Sequence, residues 1–284
     1  MYKLLALDID GTILRSDRGL SRETVQALAR ARRAGLEYTL VTGRQWAEAR
    51  IVARKLDLRL PVVCQNGSHI LDPVTGRELF HQTVPLDAAL ALTVGLEAAG
   101  VGYYWYAGQE ILVPRRLYGT VMWGKRWPRR TGVQWRAWLR WLWECRVYLR
   151  FVPVDDMAAA LRRCALAPTA ATVWAPADRV AQMLPGHLGF DLVRNNDRSC
   201  NVVPSGTSKG QGLAFLAGHL GLDRSQIIAV GDQYNDTPML AWAGLGVAMA
   251  NAPDGVKEHS HRVIPGNDAD GVAWLVDRLA AGEM

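Results

Sequence analysis

A short apolar run from Lys3 to Leu7 ends in Asp8-Ile9-Asp10-Gly11-Thr12, and no other stretch of the chain narrows the choice of fold so far. A run of this kind stopped by an acid reads as a buried strand. Side chains two apart on an extended backbone point the same way, so Asp8 and Asp10 face one pocket. In an open α/β sheet, ligands lie outside the carboxyl ends of the strands. The plain alternative is a solvated acidic turn. At average residue usage the full five-residue string has about one chance in several hundred of arising in a chain this long.

The segments that follow fit such a sheet. Ser21, with Glu23 in the first turn, caps a predicted helix whose apolar positions Val25, Leu28, Ala29 and Ala31 recur at helical spacing until Gly35. Tyr38–Val41 is a predicted strand ending at Thr42-Gly43-Arg44. A helix follows over Gln45–Leu56, and Pro61–Gln65 forms a third strand before Asn66-Gly67. At the far end, Lys209–Leu220 is helical and Ile227–Val230 is a strand ending at Gly231-Asp232. Pro238–Ala243 is a helix, Leu245–Met249 a strand, and Asp268–Ala281 a closing helix. Strands alternating with helices specify an α/β fold with a doubly wound, Rossmann-like parallel sheet.

The middle differs. A helix over Leu86–Ala98 precedes a hairpin of Val101–Tyr106 and Glu110–Val113, with further strands at Val147–Val152 and Thr169–Trp174. Helices are expected at Asp155–Cys164 and Ala177–Leu184. The expected organisation is a discontinuous catalytic core, residues 1–83 plus 200–284, with an inserted α+β cap domain over 84–199. A chain of 284 residues, 49% hydrophobic and 21% charged, has ample core for this and no compositional case for disorder.

Composition also excludes several classes. The apolar run at the amino end is too short for a signal peptide. No stretch reaches the roughly 18 uncharged apolar residues of a membrane span, and the expected location is the cytoplasm. Cys64, Cys145, Cys164 and Cys200 form no CxxC or Cys/His pair, which fits buried thiols in a reducing compartment and not a disulfide framework or zinc site.

Two close carboxylates repel, so a divalent cation binds them or one keeps a proton. A hard, oxygen-seeking ion such as Mg²⁺ bridges a carboxylate and a phosphate oxygen. Asp8, ionised on the metal, is then the candidate nucleophile that forms an aspartyl-phosphate. Asp10 protonates the leaving alcohol and later activates water. Gly11 permits a sharp turn and Thr12 offers a hydroxyl. Thr42, Gly43 and Arg44 form a candidate phosphate cradle before a helix, although a simple turn would leave the same trace. Lys209 is a candidate fixed positive charge for the phosphate and Asp8. Gly231-Asp232-Gln233-Tyr234-Asn235-Asp236 again places acids at a strand end. Asp232 completes a metal site with Asp8 and the Asp10 carbonyl, Asp236 binds the metal through water or positions Lys209, and Asn235 hydrogen-bonds a phosphate oxygen or Ser/Thr neighbours. An acidic helix cap would satisfy the same string.

In this order the residues resemble the haloacid dehalogenase-like (HAD) superfamily, with Asp8–Thr12 as its first motif, Thr42 the second, Lys209 the third, and Asp232 with Asp236 the fourth. The insert falls between the second and third motifs, as in the type II cap of Cof-like hydrolases. Val247–Ala252 and Asn267-Asp268-Ala269-Asp270-Gly271-Val272-Ala273 are similar to stretches of that family as well. A second Asp two residues after the nucleophile favours phosphatase over dehalogenase. The resemblance implies Mg²⁺-dependent hydrolysis of a small phosphorylated metabolite, such as a sugar phosphate or phosphorylated cofactor. A phosphotransferase or mutase of the same chemistry is the alternative.

The formal charge of +6 is local: Arg115–Arg150 holds ten basic residues against Glu144, and six of eleven tryptophans lie between Trp123 and Trp143. Trp135, Trp138, Leu139 and Leu142 share a helical face. The favoured reading is a cap helix packed on the cap sheet, with its arginines in water or facing the active site. A middle possibility is a cap that closes over the site and offers Arg136 or Trp135 to an anionic substrate. A weakly active protein whose basic, Trp-rich cap binds nucleic acid or membrane is the rival. Oligomeric state is left open by the sequence.

Overall fold

The computed structural model describes residues 1–108, 110–124, 150–164, 167–183 and 189–283, with the side chains of 122–124 excepted. Two compact units emerge, Met1–His81 with Thr207–Met284, and Gln82–Gly206.

The first unit is built on β1 (Leu4–Leu7), β2 (Glu37–Leu40), β12 (Ile227–Gly231), β13 (Leu245–Met249) and β14 (Arg262–Ile264), all parallel in the order β14-β13-β12-β1-β2. Their side chains alternate between two apolar layers. Leu5, Leu7, Ile228 and Val230 pack with Leu28, Val52 and Leu275 on one face, while Leu4, Ala6, Ile227 and Ala229 pack with Leu213, Leu216 and Leu240 on the other. Strands buried on both faces explain the uninterrupted apolar runs in the sequence. Ser21 caps the helix Arg22–Arg33, accepting from the Thr24 amide at 3.0 Å. Beyond β2 the chain forms β3 (Val62–Cys64), β4 (His69–Leu71) and β5 (Glu78–His81), a small antiparallel sheet that meets β2 through a bridge between Val41 and Val63.

Register places the strand ends side by side. Leu7 is level with Leu40 on one neighbour and Val230 on the other. The segments that follow Leu7, Leu40 and, one residue later, Gly231 therefore leave the sheet at one edge.

The loop after β1 is clamped by residues from the far end of the chain. Asn251 donates to the Gly11 carbonyl at 2.9 Å and Asn267 to the Leu14 carbonyl at 2.9 Å. Asp268 accepts from the Ser16 amide at 2.8 Å and its hydroxyl at 2.7 Å, and Arg15 pairs with Asp270. The two carboxyl-terminal stretches noted in the sequence are thus structural clasps for the first loop.

The second unit is a six-stranded sheet, β10-β11-β9-β6-β7-β8. It comprises β6 (Tyr103–Ala107), β7 (Glu110–Pro114), β8 (Arg150–Val154), β9 (Pro168–Val173), β10 (Phe190–Asn196) and β11 (Ser199–Pro204), antiparallel apart from the β7/β8 pair. One face, carrying Tyr103, Trp105, Leu112 and Val173, packs with Leu92 and Leu96 of the helix Leu86–Ala98 and with Leu161 of the helix Met157–Arg163. Because β11 pairs with β9 and β10, this unit runs past Ser199, the expected end of the insert, to Gly206. At the two ends of the basic segment, Arg115 is paired with Asp155 and Arg150 with Glu110. Its stretch from 125 to 149, with Trp135, Arg136 and Cys145, lies outside the described residues.

Cys64 and Cys200 are buried and unpaired, and burial pushes the Cys200 thiol up to about 12. No helix among the described residues is long and apolar enough to cross a membrane.

The clasp carries a pH signature. Hydrogen bonds from the Ser16 amide and hydroxyl hold the Asp268 carboxyl below its ordinary value. A carboxyl lowered in this way contributes stability that is complete above its unfolded pKa of about 3.9 and is lost as pH falls through the folded value. Asp268→Ala should therefore lower Tm by about 1–3 °C near pH 7, with the gap closing as pH drops from about 4 towards 2.5. Thermal melts followed by circular dichroism over that range check the expectation.

Candidate active site

Asp8, Asp232 and Asp236 converge at the carboxyl ends of β1 and β12. Each offers an oxygen within 4.8 Å of the others, and all three are buried. Lys209, the first residue of the helix Lys209–Leu220, lies among them at 1% exposure. Its ammonium donates to Asp8 Oδ1 at 2.6 Å and to Asp236 Oδ1 at 2.5 Å. Burial works against the charge on Lys209, but the carboxylates of Asp236 and Asp8 outweigh it and hold the ammonium protonated. Burial pushes the Asp8 carboxyl well up against the pull of Lys209, and pushes Asp232 up to about 7 with help from the charge on Asp236. Three acids facing one ammonium leave excess negative charge in a dry place, which is the condition that draws in a divalent cation.

The glycines beside these acids are required by space. Gly11 has φ +78°, and a Cβ there would lie 2.2 Å from Asp232 Oδ2. At Gly231 a Cβ would lie 2.5 Å from the Asp236 side chain. Thr12 donates to Asp232 Oδ1 at 3.0 Å, so its hydroxyl orients an acid across the sheet. Asp232 Oδ2 also accepts from Gln233 at 3.2 Å and Asn251 at 3.3 Å. Neither Gln233 nor Asn251 was expected at the site. Gln233 is hidden in the sequence by its bland surroundings, and Asn251 by a separation of 19 residues from Asp232.

Asp236 is committed elsewhere. Its Oδ2 accepts from the backbone amides of Asp232 at 2.9 Å and Gln233 at 2.8 Å while Oδ1 holds Lys209. The bond to Oδ1 is the contact that a role in positioning Lys209 requires, and the two amides hold the carboxylate in place.

Asp10 points to a different partner. Arg44 grips it with two bonds, Nε to Oδ2 at 2.6 Å and a terminal nitrogen to Oδ1 at 2.5 Å. Arg44, expected on the phosphate, is thus engaged by the second acid of the first motif, a fork-to-fork match of the strong kind. The charge of Arg44 and its hydrogen bonds hold the Asp10 carboxyl below its ordinary value.

Thr42 is buried, and its Oγ1 accepts from the Arg44 amide at 3.1 Å, closing the turn that carries Gly43. Against this turn lies Gln65-Asn66-Gly67, where Gln65 and Asn66 have left-handed φ of +48° and +55°. Such conformations in non-glycine residues cost of order 1–3 kcal/mol each and persist only where surrounding contacts impose them. Here Gln65 donates to the Arg44 carbonyl at 2.9 Å and Asn66 to the Thr42 carbonyl at 3.0 Å. Asn235 donates to Asn66 Oδ1 at 3.0 Å. The structure therefore gathers Asp8, Asp10, Thr42, Gly43, Arg44, Lys209, Asp232, Asn235 and Asp236 around one strand-end region of the first unit.

Comparison with known proteins agrees with this arrangement. The family described as haloacid dehalogenase-like hydrolase matches residues 5–132 and 175–276. The chain is 28% identical to the stress response protein YhaX of Bacillus subtilis, over 96% of this chain and 92% of that protein. It is also 28% identical to the pyridoxal phosphate phosphatase YbhA of Escherichia coli, over 96% and 97% of the two chains. A solved haloacid dehalogenase-like hydrolase from B. subtilis superposes with a TM-score of 0.84 at 26% identity, covering 98% of this chain and 99% of that one. The family match spans well over half the chain and includes the strand ends that carry the acids, and the chain belongs to the haloacid dehalogenase-like hydrolases.

Proposed function

We propose that this chain is a Mg²⁺-dependent phosphatase that hydrolyses a small phosphate monoester through an aspartyl-phosphate on Asp8. The observation that carries the reading is the buried cluster of Asp8, Asp232 and Asp236 with the Lys209 ammonium inside it. An all-oxygen donor set in a site with surplus negative charge suits a hard cation, and Asp8, Asp232 and the Asp10 carbonyl would hold it. When bound, the ion offsets charge on the phosphoryl oxygens and on the nucleophile.

The residues divide the remaining work. Asp8 attacks phosphorus as the bond from phosphorus to the leaving oxygen breaks, and Asp10 gives that oxygen a proton. Water then attacks the phosphoryl group, Asp10 takes a proton from it, and the bond to Asp8 breaks to free phosphate. Asp10 in the grip of Arg44 is in its base form, which suits the second step. The first step requires that Arg44 let go, and an incoming phosphate is the anion that would compete for it. Lys209 steadies Asp8 and the phosphate, while Thr42, the Gly43 turn and Asn235 contact phosphate oxygens. The E. coli relative is named for pyridoxal phosphate, which supports a small phosphorylated metabolite as the substrate class. The proposed location is the cytoplasm, in keeping with the unpaired thiols of Cys64 and Cys200.

Purified protein should hydrolyse p-nitrophenyl phosphate with Mg²⁺, stop with EDTA, and lose activity by at least about 10³-fold as Asp8→Asn. Full activity in Asp8→Asn would refute the mechanism.

Metal binding has its own readout. At a hundredfold excess over Kd, Mg²⁺ should stabilise the protein by about 2.7 kcal/mol. Asp232→Asn should abolish most of the resulting Tm increase.

Gly11→Ala should fold yet lose about 100-fold in kcat, because displacement of Asp232 by about an ångström misaligns the site. Wild-type turnover in that variant would show that the close approach is dispensable.

A further inference from the structure

The turn Gln65-Asn66-Gly67 touches three separate parts of the site. Its backbone amides bond to the carbonyls of Thr42 and Arg44. At Gly67, with φ +99°, a Cβ would lie 2.1 Å from the carbonyl oxygen of Ser208, the residue before Lys209. Asn66, 1% exposed, accepts from the Asn235 amide at 3.0 Å. Glycine fits a left-handed position with least strain, so an asparagine there points to a use for its side chain. Gly43 makes room for that side chain: a Cβ on it would lie 3.2 Å from Asn66 Oδ1 and 3.5 Å from Asn235 Nδ2.

We propose that Asn66 is a positioning residue of the active site, whose side-chain oxygen holds the Asn235 amide so that its second N–H is presented to the substrate phosphate. The inference rests on the phosphatase reading. An asparagine amide carries two N–H donors and one carbonyl. A fixed acceptor on one N–H sets the plane of the amide and selects the flip that turns a donor, and not the carbonyl oxygen, towards an anion. Without that acceptor the amide rotates, and its carbonyl repels phosphate as often as its N–H attracts it. Asn66 thus acts through Asn235 and does not touch the reacting atoms.

The test separates this role from a general structural one. Asn66→Gly keeps the left-handed backbone and deletes the acceptor. It should raise KM for p-nitrophenyl phosphate, and Kd for inorganic phosphate measured by calorimetry, by about tenfold with kcat within about twofold. Asn235→Ala should do the same. The double variant should be no worse than either single one, since both remove the same contact. In ¹⁵N–¹H spectra, Asn66→Gly should move the Asn235 side-chain resonances, and Asn66→Asp, which retains an acceptor and tolerates the backbone, should leave them near their wild-type positions. Unchanged KM, Kd and resonances in Asn66→Gly would overturn the proposal, as would penalties that multiply in the double variant. A wild-type protein that neither binds nor hydrolyses phosphate would overturn the phosphatase reading and this proposal with it. A wild-type protein that does both, beside an Asn66→Gly variant that does both equally well, would overturn this proposal alone.

Discussion

The ammonium of Lys209, enclosed by the carboxylates of Asp8 and Asp236, is the contact on which the site depends. Removing charged groups from water costs several kcal/mol per ion, and an ion pair survives burial only where further hydrogen bonds satisfy the remaining oxygens. That condition is met at Asp236, whose second oxygen is capped by two backbone amides. The backbone after β12 is therefore folded around Asp236, Asp236 fixes Lys209, and Lys209 fixes one oxygen of Asp8. Each link is short and charged, so Asp8 is held by a chain of constraints that starts in the main chain. Withdrawing Lys209 would leave the buried carboxylates of Asp8 and Asp236 uncompensated, at a cost of about 3–5 kcal/mol.

These residues are far apart in sequence, Lys209 lying 201 positions after Asp8, and sheet order is what joins them. Parallel strands β2, β1 and β12 are neighbours, so all three release their chains at one edge. Close approach then needs missing side chains. Gly11 admits Asp232, Gly231 admits Asp236, and Gly43 admits the Asn66–Asn235 amide pair. The glycines of the Asp8–Thr12 string, of the Thr42–Arg44 turn and of the Gly231–Asp236 string thus have one common cause, the packing of acids and amides at nearly van der Waals distance at one strand-end site.

Much of this was legible in the sequence, and the reason is burial. Strands β1, β2, β12 and β13 are covered on both faces and leave continuous apolar runs, while each acid marks the point where a run stops. The strands that escaped notice leave no such run: β4 and β14 are three residues long, and β5 and β10 have no buried residue. β4 and β5 flank Asp72-Pro73-Val74-Thr75-Gly76, and β10 and β11 flank Asp197-Arg198, both turn-rich strings that could have signalled hairpins. Side-chain destinations were harder still. Arg44 could be placed at the site from its neighbours, but its choice of Asp10 depends on how two loops 34 residues apart face each other. Asn66 stood out only as part of a weak Asn-Gly turn, because its partner Asn235 lies 169 residues away.

Every side chain with a proposed part in the chemistry belongs to Met1–His81 or Thr207–Met284. Each of them addresses the phosphoryl group, the cation that accompanies it, or the leaving oxygen. Those features are common to all phosphate monoesters, so this unit on its own would treat a sugar phosphate and a phosphorylated ring alike. Discrimination requires contacts to the alcohol, and the chain has a separate unit, Gln82–Gly206, interposed between the Arg44 turn and Lys209. Its six-stranded sheet has its own packed face and its own apolar layer, so its composition can vary without disturbing the Lys209 network. The sharpest sequence bias in the protein, the Arg- and Trp-rich stretch between Arg115 and Arg150, falls in that unit and not among the residues that perform the reaction. Charge and aromatic surface are what recognition of an anionic, ring-bearing leaving group would need, and the proposed phosphoryl transfer draws on neither from that stretch.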